Sequence, residues 1–281
     1  MKTQCKRLFA GILTVCLLAS LCGCGDLDED LQNPATIAPP PPTTEGYSLP
    51  QSLYSPQDFE MDGAYLSCTA GNYMVGLDVS HHQGKIDWQK VADAGIEFVF
   101  VRLGYRGYET GNLITDSNAL ENLNGAREAG LLVGAYFFSQ AISVAEAQEE
   151  ARFALDVLGD FKLDLPLVYD WEYVSEAART ANVSGRSLTE FTIAFCETVK
   201  NAGVEPMLYF SVNVAKYWLN MEKLERYSWW LAMYNPENPL LCQVDAWQYT
   251  NEGRVDGIST VVDINLLFTD YGVGSVFGKT E

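Results

Sequence analysis

From Met74 onward, short apolar runs rich in β-branched residues alternate with segments whose apolar positions recur every three or four residues. The runs at 75–79, 98–103, 131–139, 167–172, 207–211, 229–234, 244–249 and 261–267 read as eight strands. Amphipathic spacing predicts five helices between the first six strands, near 88–94, 117–129, 144–158, 188–201 and 214–227. Ser143 precedes Glu146, and Ser187 precedes Glu190, at capping-box spacing, while Gly95, Gly130 and Gly203 follow helix ends. The last connections are too short for helices and read as hairpins or tight loops. Strand–helix alternation implies a largely parallel α/β sheet, and eight strands suggest closure into an irregular TIM-like barrel of eight strands and about five helices. An open doubly wound sheet is the alternative the pattern leaves standing.

The pattern upstream differs. Lys2, Lys6 and Arg7 precede an apolar run from Leu8 to Leu21, the layout of an export signal and short of the ~20 residues a membrane span needs. The run ends Leu21-Cys22-Gly23-Cys24, which resembles the lipobox of bacterial lipoproteins, so residues 1–23 read as a signal and Cys24 as the lipidated first residue. A plain secretory signal is the alternative. Residues 24–73 read as a spacer, with an acidic cluster from Asp26 to Asp30 and the run Pro39 to Pro42. At ~3.1 Å per residue such a segment could span on the order of 100 Å. The folded domain is then expected over 74–275, on the outer face of the cell membrane.

Composition narrows the function. The net charge is −19, and loss of the three basic residues of the signal makes the body more acidic still. Nucleic-acid binding, which depends on Lys and Arg displacing phosphate counterions, is excluded as a function class. Two histidines, His81 and His82, leave little room for zinc chemistry or a Ser-His-Asp triad. Of the body's cysteines, Cys68, Cys196 and Cys242 are odd in number and widely spaced, which is no disulfide framework.

Charged side chains inside apolar strands are costly unless paired or functional. Asp78 lies near the end of the first strand, Asp170 and Glu172 end the fourth, and Asp263 lies early in the eighth. Residues two apart on a strand face the same way, with Cα atoms ~6.6 Å apart, so Asp170 and Glu172 form a pair. Two neighbouring carboxylates oppose each other's ionisation, and one becomes a usable acid. Glycoside hydrolysis needs that division of labour.

The same residues carry a resemblance. Gly76-Leu77-Asp78-Val79-Ser80-His81-His82-Gln83-Gly84-Lys85-Ile86-Asp87-Trp88 resembles the opening motif of glycoside hydrolase family 25 lysozymes. So do Gly134-Ala135-Tyr136-Phe137-Phe138-Ser139, Asp170-Trp171-Glu172, Trp247-Gln248-Tyr249 and Val262-Asp263-Ile264-Asn265, in order along nearly the whole body. The resemblance implies an irregular eight-stranded barrel and cleavage of the β-1,4 bond from N-acetylmuramic acid to N-acetylglucosamine in peptidoglycan. It implies Glu172 as general acid, Asp170 as the carboxylate supporting the 2-acetamido group, and Asp78 and Asp263 as the remaining acids. No cofactor or metal is implied, the partner is the glycan strand, and the enzyme is expected to act as a monomer. Phe137 departs from the family pattern, where many members carry His, and is expected to alter a sugar contact.

Tyr136, Phe138, Tyr209, Tyr234 and Trp247 are expected to line a sugar cleft with Gln248, because sugars present apolar C–H faces to aromatic rings. Trp88, Trp218, Trp229 and Trp230 read as core. Arg102 is expected either to pair with a mouth carboxylate or to form a structural ion pair. His81 and His82 are expected to shape the loop after Asp78. A metal-dependent barrel hydrolase, its four acids holding a hard cation, and a non-catalytic wall-binding lipoprotein are the competing readings.

Overall fold

The computed structural model describes residues 47–237 and 240–270, together with Gly272 and Gly274. The expected signal at 1–23, Cys24 and the first part of the spacer lie outside the described residues.

The strands are β1 (Phe59–Asp62), β2 (Tyr65–Cys68), β3 (Tyr73–Val79), β4 (Phe98–Arg106), β5 (Leu113–Thr115), β6 (Leu132–Ser139), β7 (Leu167–Trp171), β8 (Pro206–Ser211), β9 (Ser228–Ala232), β10 (Ala246–Gly253) and β11 (Val262–Phe268). The helices are α1 (Trp88–Asp93), α2 (Ala119–Glu128), α3 (Val144–Leu158), α4 (Gly185–Asn201), α5 (Val212–Tyr217) and α6 (Met221–Leu224). Eight strands close into a barrel in the order β3-β4-β6-β7-β8-β9-β10-β11, with β11 pairing back to β3 and the short β5 added along β4. This is the barrel expected from the sequence, and not the open sheet.

Neighbouring strands run parallel from β3 to β10, and β11 runs antiparallel to both of its partners. Of the last two links, β9–β10 is therefore a crossover with no helix among the described residues, and β10–β11 is a hairpin. The helix expected at 214–227 is two short helices, because Asn220 accepts a hydrogen bond from the Lys223 amide and caps a new start. The fourth long helix begins at Gly185, capped by Ser184 rather than Ser187.

Alternation along each strand sorts the apolar side chains into two layers. Phe98, Phe100, Val168, Met207, Trp230 and Leu267 fill the barrel. Val99, Val101, Tyr169, Trp171, Leu208 and Leu266 form the outer apolar layer. Gly76 and Gly134 face inward where a Cβ would overlap the rings of Phe98 and Phe100, so these two positions admit the phenyl groups that close the barrel floor.

The segment expected as spacer up to residue 73 is not extended throughout. β1 and β2 form a hairpin whose Phe59 ring meets Trp247 at 4.9 Å, while Tyr54 stacks on Phe268 at 4.8 Å. Leu66 and Cys68 are buried in the outer apolar layer. Among the described residues no helix covers the β10–β11 sector, and this hairpin supplies the apolar cover there.

Candidate active site

The inward positions continue past the apolar floor into a polar layer at one mouth of the barrel. Asp78 follows Met74 and Gly76 on the inner face of β3, and Asp170 follows Val168 on β7, with Glu172 next on the same side. Asp263 opens β11, and because that strand runs antiparallel its start reaches the same mouth, where Asp263 is the ladder partner of Asp78. Four carboxyl groups from three strands are thus brought together.

Two amides hold Asp78. Its Oδ2 accepts from Gln248 Nε2 at 2.8 Å and from Asn265 Nδ2 at 2.9 Å. Each amide is itself oriented: Gln248 Oε1 accepts from the hydroxyls of Tyr209 at 3.0 Å and Tyr234 at 2.8 Å, and Asn265 Oδ1 accepts from Trp230 Nε1 at 2.9 Å. The Trp230 indole can only donate, which fixes the Asn265 amide with its Nδ2 toward Asp78.

Burial pushes the Asp78 carboxyl up to about 6, against the lowering effect of hydrogen bonds from Asn265, Gln248 and Asp263. Asp263 is held well above the usual carboxylate range by burial and by the charges of Asp78 and Glu172, and is hydrogen-bonded to Asp78. Asp170 is raised by burial first, then by Glu172 and Asp78, with the Arg102 guanidinium opposing. Asp170 Oδ1 is buried and meets no hydrogen-bond partner among the described residues. Such a cluster keeps protons at a pH where isolated carboxyls have lost them, as acid catalysis near neutrality requires.

The other expected site residues divide by strand face. Tyr136 and Phe138 point inward on β6, Phe138 standing beside Asp170 in the ladder. Tyr209 and Tyr234 reach the site through Gln248, and Tyr234 exposes ring surface at the rim. Trp247 is a correction: it neighbours inward Gln248 and therefore points outward, fully buried against Phe59, its Nε1 donating to the Met233 carbonyl at 2.8 Å. Phe137 also faces outward, against Phe153 of α3, so the departure from the family pattern touches helix packing and not the mouth.

Arg102 sits on the inner face of β4, opposite Tyr136 in the ladder, and forms the structural ion pair. Its Nε donates to the buried Asp116 at 2.9 Å and its Nη2 lies 2.7 Å from His81 Nδ1. The His81 backbone N–H also donates to Asp116, at 3.1 Å, so this histidine shapes the loop after Asp78 as expected. Trp230 fills the barrel core as expected and in addition orients Asn265, which the sequence reading quoted only within its motif and gave no role. Asn265 stands two positions from Asp263 and so shares its face. Trp230 is indistinguishable by pattern from its outward neighbour Trp229. Among the described residues no group of three or more His, Cys, Asp or Glu is arranged to hold a metal ion. A surface recess of about 490 Å³, lined by Leu158, Phe161, Pro166 and Val204, lies at the opposite end of the barrel, where the chain enters β7 and β8.

The family model for glycosyl hydrolases family 25 matches residues 77–258, from the strand carrying Asp78 into the loop before Asp263. The chain belongs to this family. It is 32% identical over 206 residues to the uncharacterised protein YegX of Escherichia coli strain K12, covering 68% of each chain. The modular autolysin LytC of Streptococcus pneumoniae, solved with a synthetic peptidoglycan ligand, superposes with a TM-score of 0.58 at 25% identity, covering 70% of this chain and 47% of that one. A bacterial lysozyme from Streptomyces coelicolor superposes with a TM-score of 0.55 at 27% identity, covering 70% of this chain and 92% of that one. This family 25 chain is thus a glycoside hydrolase with its acids at the barrel mouth, and the hairpin of β1 and β2 lies outside the segment matched by the family model.

Proposed function

We propose that this family 25 enzyme is a muramidase, cleaving peptidoglycan between N-acetylmuramic acid and N-acetylglucosamine with retention through substrate assistance. The observation that carries the reading is the same-face pair Asp170 and Glu172, one deep and one half-buried, in a mouth edged by Phe138 and Tyr234. Glu172 protonates the leaving oxygen. Asp170 receives the acetamido N–H of the sugar, and the acetamido oxygen attacks the anomeric carbon. That hydrogen bond favours ionised Asp170 and moves the proton shared by the pair toward Glu172, where it is needed. Water, giving its proton back to the Glu172 carboxylate, then opens the cyclic intermediate, and the two inversions release the β anomer. Substrate assistance is a recognised departure from the two-carboxylate scheme.

Glu172→Gln keeps the shape and removes the transferable proton. Hydrolysis should fall by ~10²–10⁴-fold while glycan binding survives. Turnover close to the parent's would remove Glu172 from its role.

We also infer that the enzyme is exported and tethered through lipid on Cys24, with two or more acyl chains, since one chain anchors only marginally. The lipobox-like Leu21-Cys22-Gly23-Cys24 supports this reading. Cys24→Ala should release the protein from the membrane fraction or stall its processing. A variant that fractionates with membranes as fully as the parent contradicts the anchor.

A further inference from the structure

Glu172 lies beyond the ladder that positions the rest of β7. The last pairs are Ser139 with Trp171 on one side and Asp170 with Tyr209 on the other. A side chain takes over there: Gln140 Nε2 donates to the Glu172 carbonyl at 2.9 Å and to the Ser139 carbonyl at 2.9 Å, as a further strand amide would. Gln140 is fully buried, and its Oε1 accepts from the Thr180 hydroxyl at 2.8 Å, so its amide is oriented from both ends.

The backbone of Gln140 is held as firmly. Its N–H donates to Glu150 at 3.3 Å, and its carbonyl accepts from Arg179 Nη1 at 2.8 Å. Arg179 in turn grips Glu146 at the start of α3 with both nitrogens, at 2.7 and 2.8 Å, and its backbone N–H donates to the Tyr108 carbonyl at 2.9 Å. Three loops on one side of the mouth, following β4, β6 and β7, are therefore joined around the carbonyl of Glu172. Hydrogen bonds of this kind define one geometry only when every member is satisfied, and here Gln140 has a partner at each polar atom.

We propose that Gln140, oriented by Thr180, is a positioning residue for the general acid: it sets where the Glu172 carboxyl stands relative to the leaving oxygen and touches no substrate itself. This rests on the muramidase reading, in which Glu172 delivers a proton. A misplacement of about 1 Å in a catalytic group can cost ~10²-fold in rate, so a lost clamp should register in turnover and not in affinity.

The test uses two substrates that differ in their need for an acid. Peptidoglycan glycan has a sugar leaving group that must be protonated. A 4-nitrophenyl glycoside of the same saccharide releases 4-nitrophenolate, which leaves without a proton. Gln140→Met, close in shape and without the amide, should lower kcat on glycan by up to ~10²-fold with KM unchanged. The first-step release of 4-nitrophenolate, read before the steady state, should stay near the parent's rate. Thr180→Val, which removes only the hydroxyl that orients the amide, should show the same selective loss to a smaller degree, and it carries the test if Gln140→Met melts too low to assay. Equal losses on both substrates would mean a structural role, no loss on either would mean no role, and both overturn the proposal. A parent enzyme that leaves glycan intact would overturn the muramidase reading itself, and this proposal with it.

Discussion

Asp78 shows how a single side chain can be well satisfied and still strained by charge. It accepts two amide hydrogen bonds, yet burial holds its carboxyl at about 6 rather than 3.8. An acid whose folded value is raised favours the fold below its unfolded value and loses that contribution as pH rises through the folded value. The difference is on the order of 3 kcal/mol at full ionisation, and it is lost between about pH 4 and pH 6. Asp78→Asn keeps an acceptor for both amides and removes the titration. Relative to the parent, this variant should gain stability between pH 4 and pH 7 in denaturant melts. A constant difference across that range would mean Asp78 ionises like an exposed carboxylate.

At the scale of elements, period and turn chemistry explain what was legible. All eight barrel strands overlap runs read from the sequence, because most of these runs are apolar on both faces, as a strand packed inside and out must be. The four acids stood out for the same reason: they interrupt apolar runs. Trp247 and Gln248 alternate across their strand, so only one of them can face the mouth, and the run 244–249 alone does not say which. Gln140, Arg179 and Thr180 were not legible as a group, since their contacts join loops far apart in sequence. The hairpin of β1 and β2 escaped the pattern because its strands are only four residues each and mix apolar with polar positions, with Met61 exposed, although Asp62-Gly63, with Gly63 at φ 65°, is a turn signal. Leu66 tests whether the hairpin belongs to the fold. Leu66→Ala empties a buried site and should lower stability by about 2–5 kcal/mol, with kcat of the folded fraction unchanged. Unaltered stability would detach the hairpin from the barrel.

For the whole molecule, the asymmetry of the barrel is what assembles the site. Seven strands deliver their C-terminal ends to the mouth, and the antiparallel β11 delivers its beginning, which is how an acid early in its run meets three late in theirs. The cost of that reversal is a sector that no helix among the described residues covers, filled by the hairpin. A net charge of −19, with four carboxyls gathered at one mouth, suits a substrate recognised through hydroxyl, acetamido and ring faces better than one recognised through negative charge. The bond cut decides the matter. Purified peptidoglycan digested with the enzyme and then reduced with borohydride should yield muramitol at the new chain ends by mass spectrometry. Glucosaminitol at those ends would contradict the muramidase assignment.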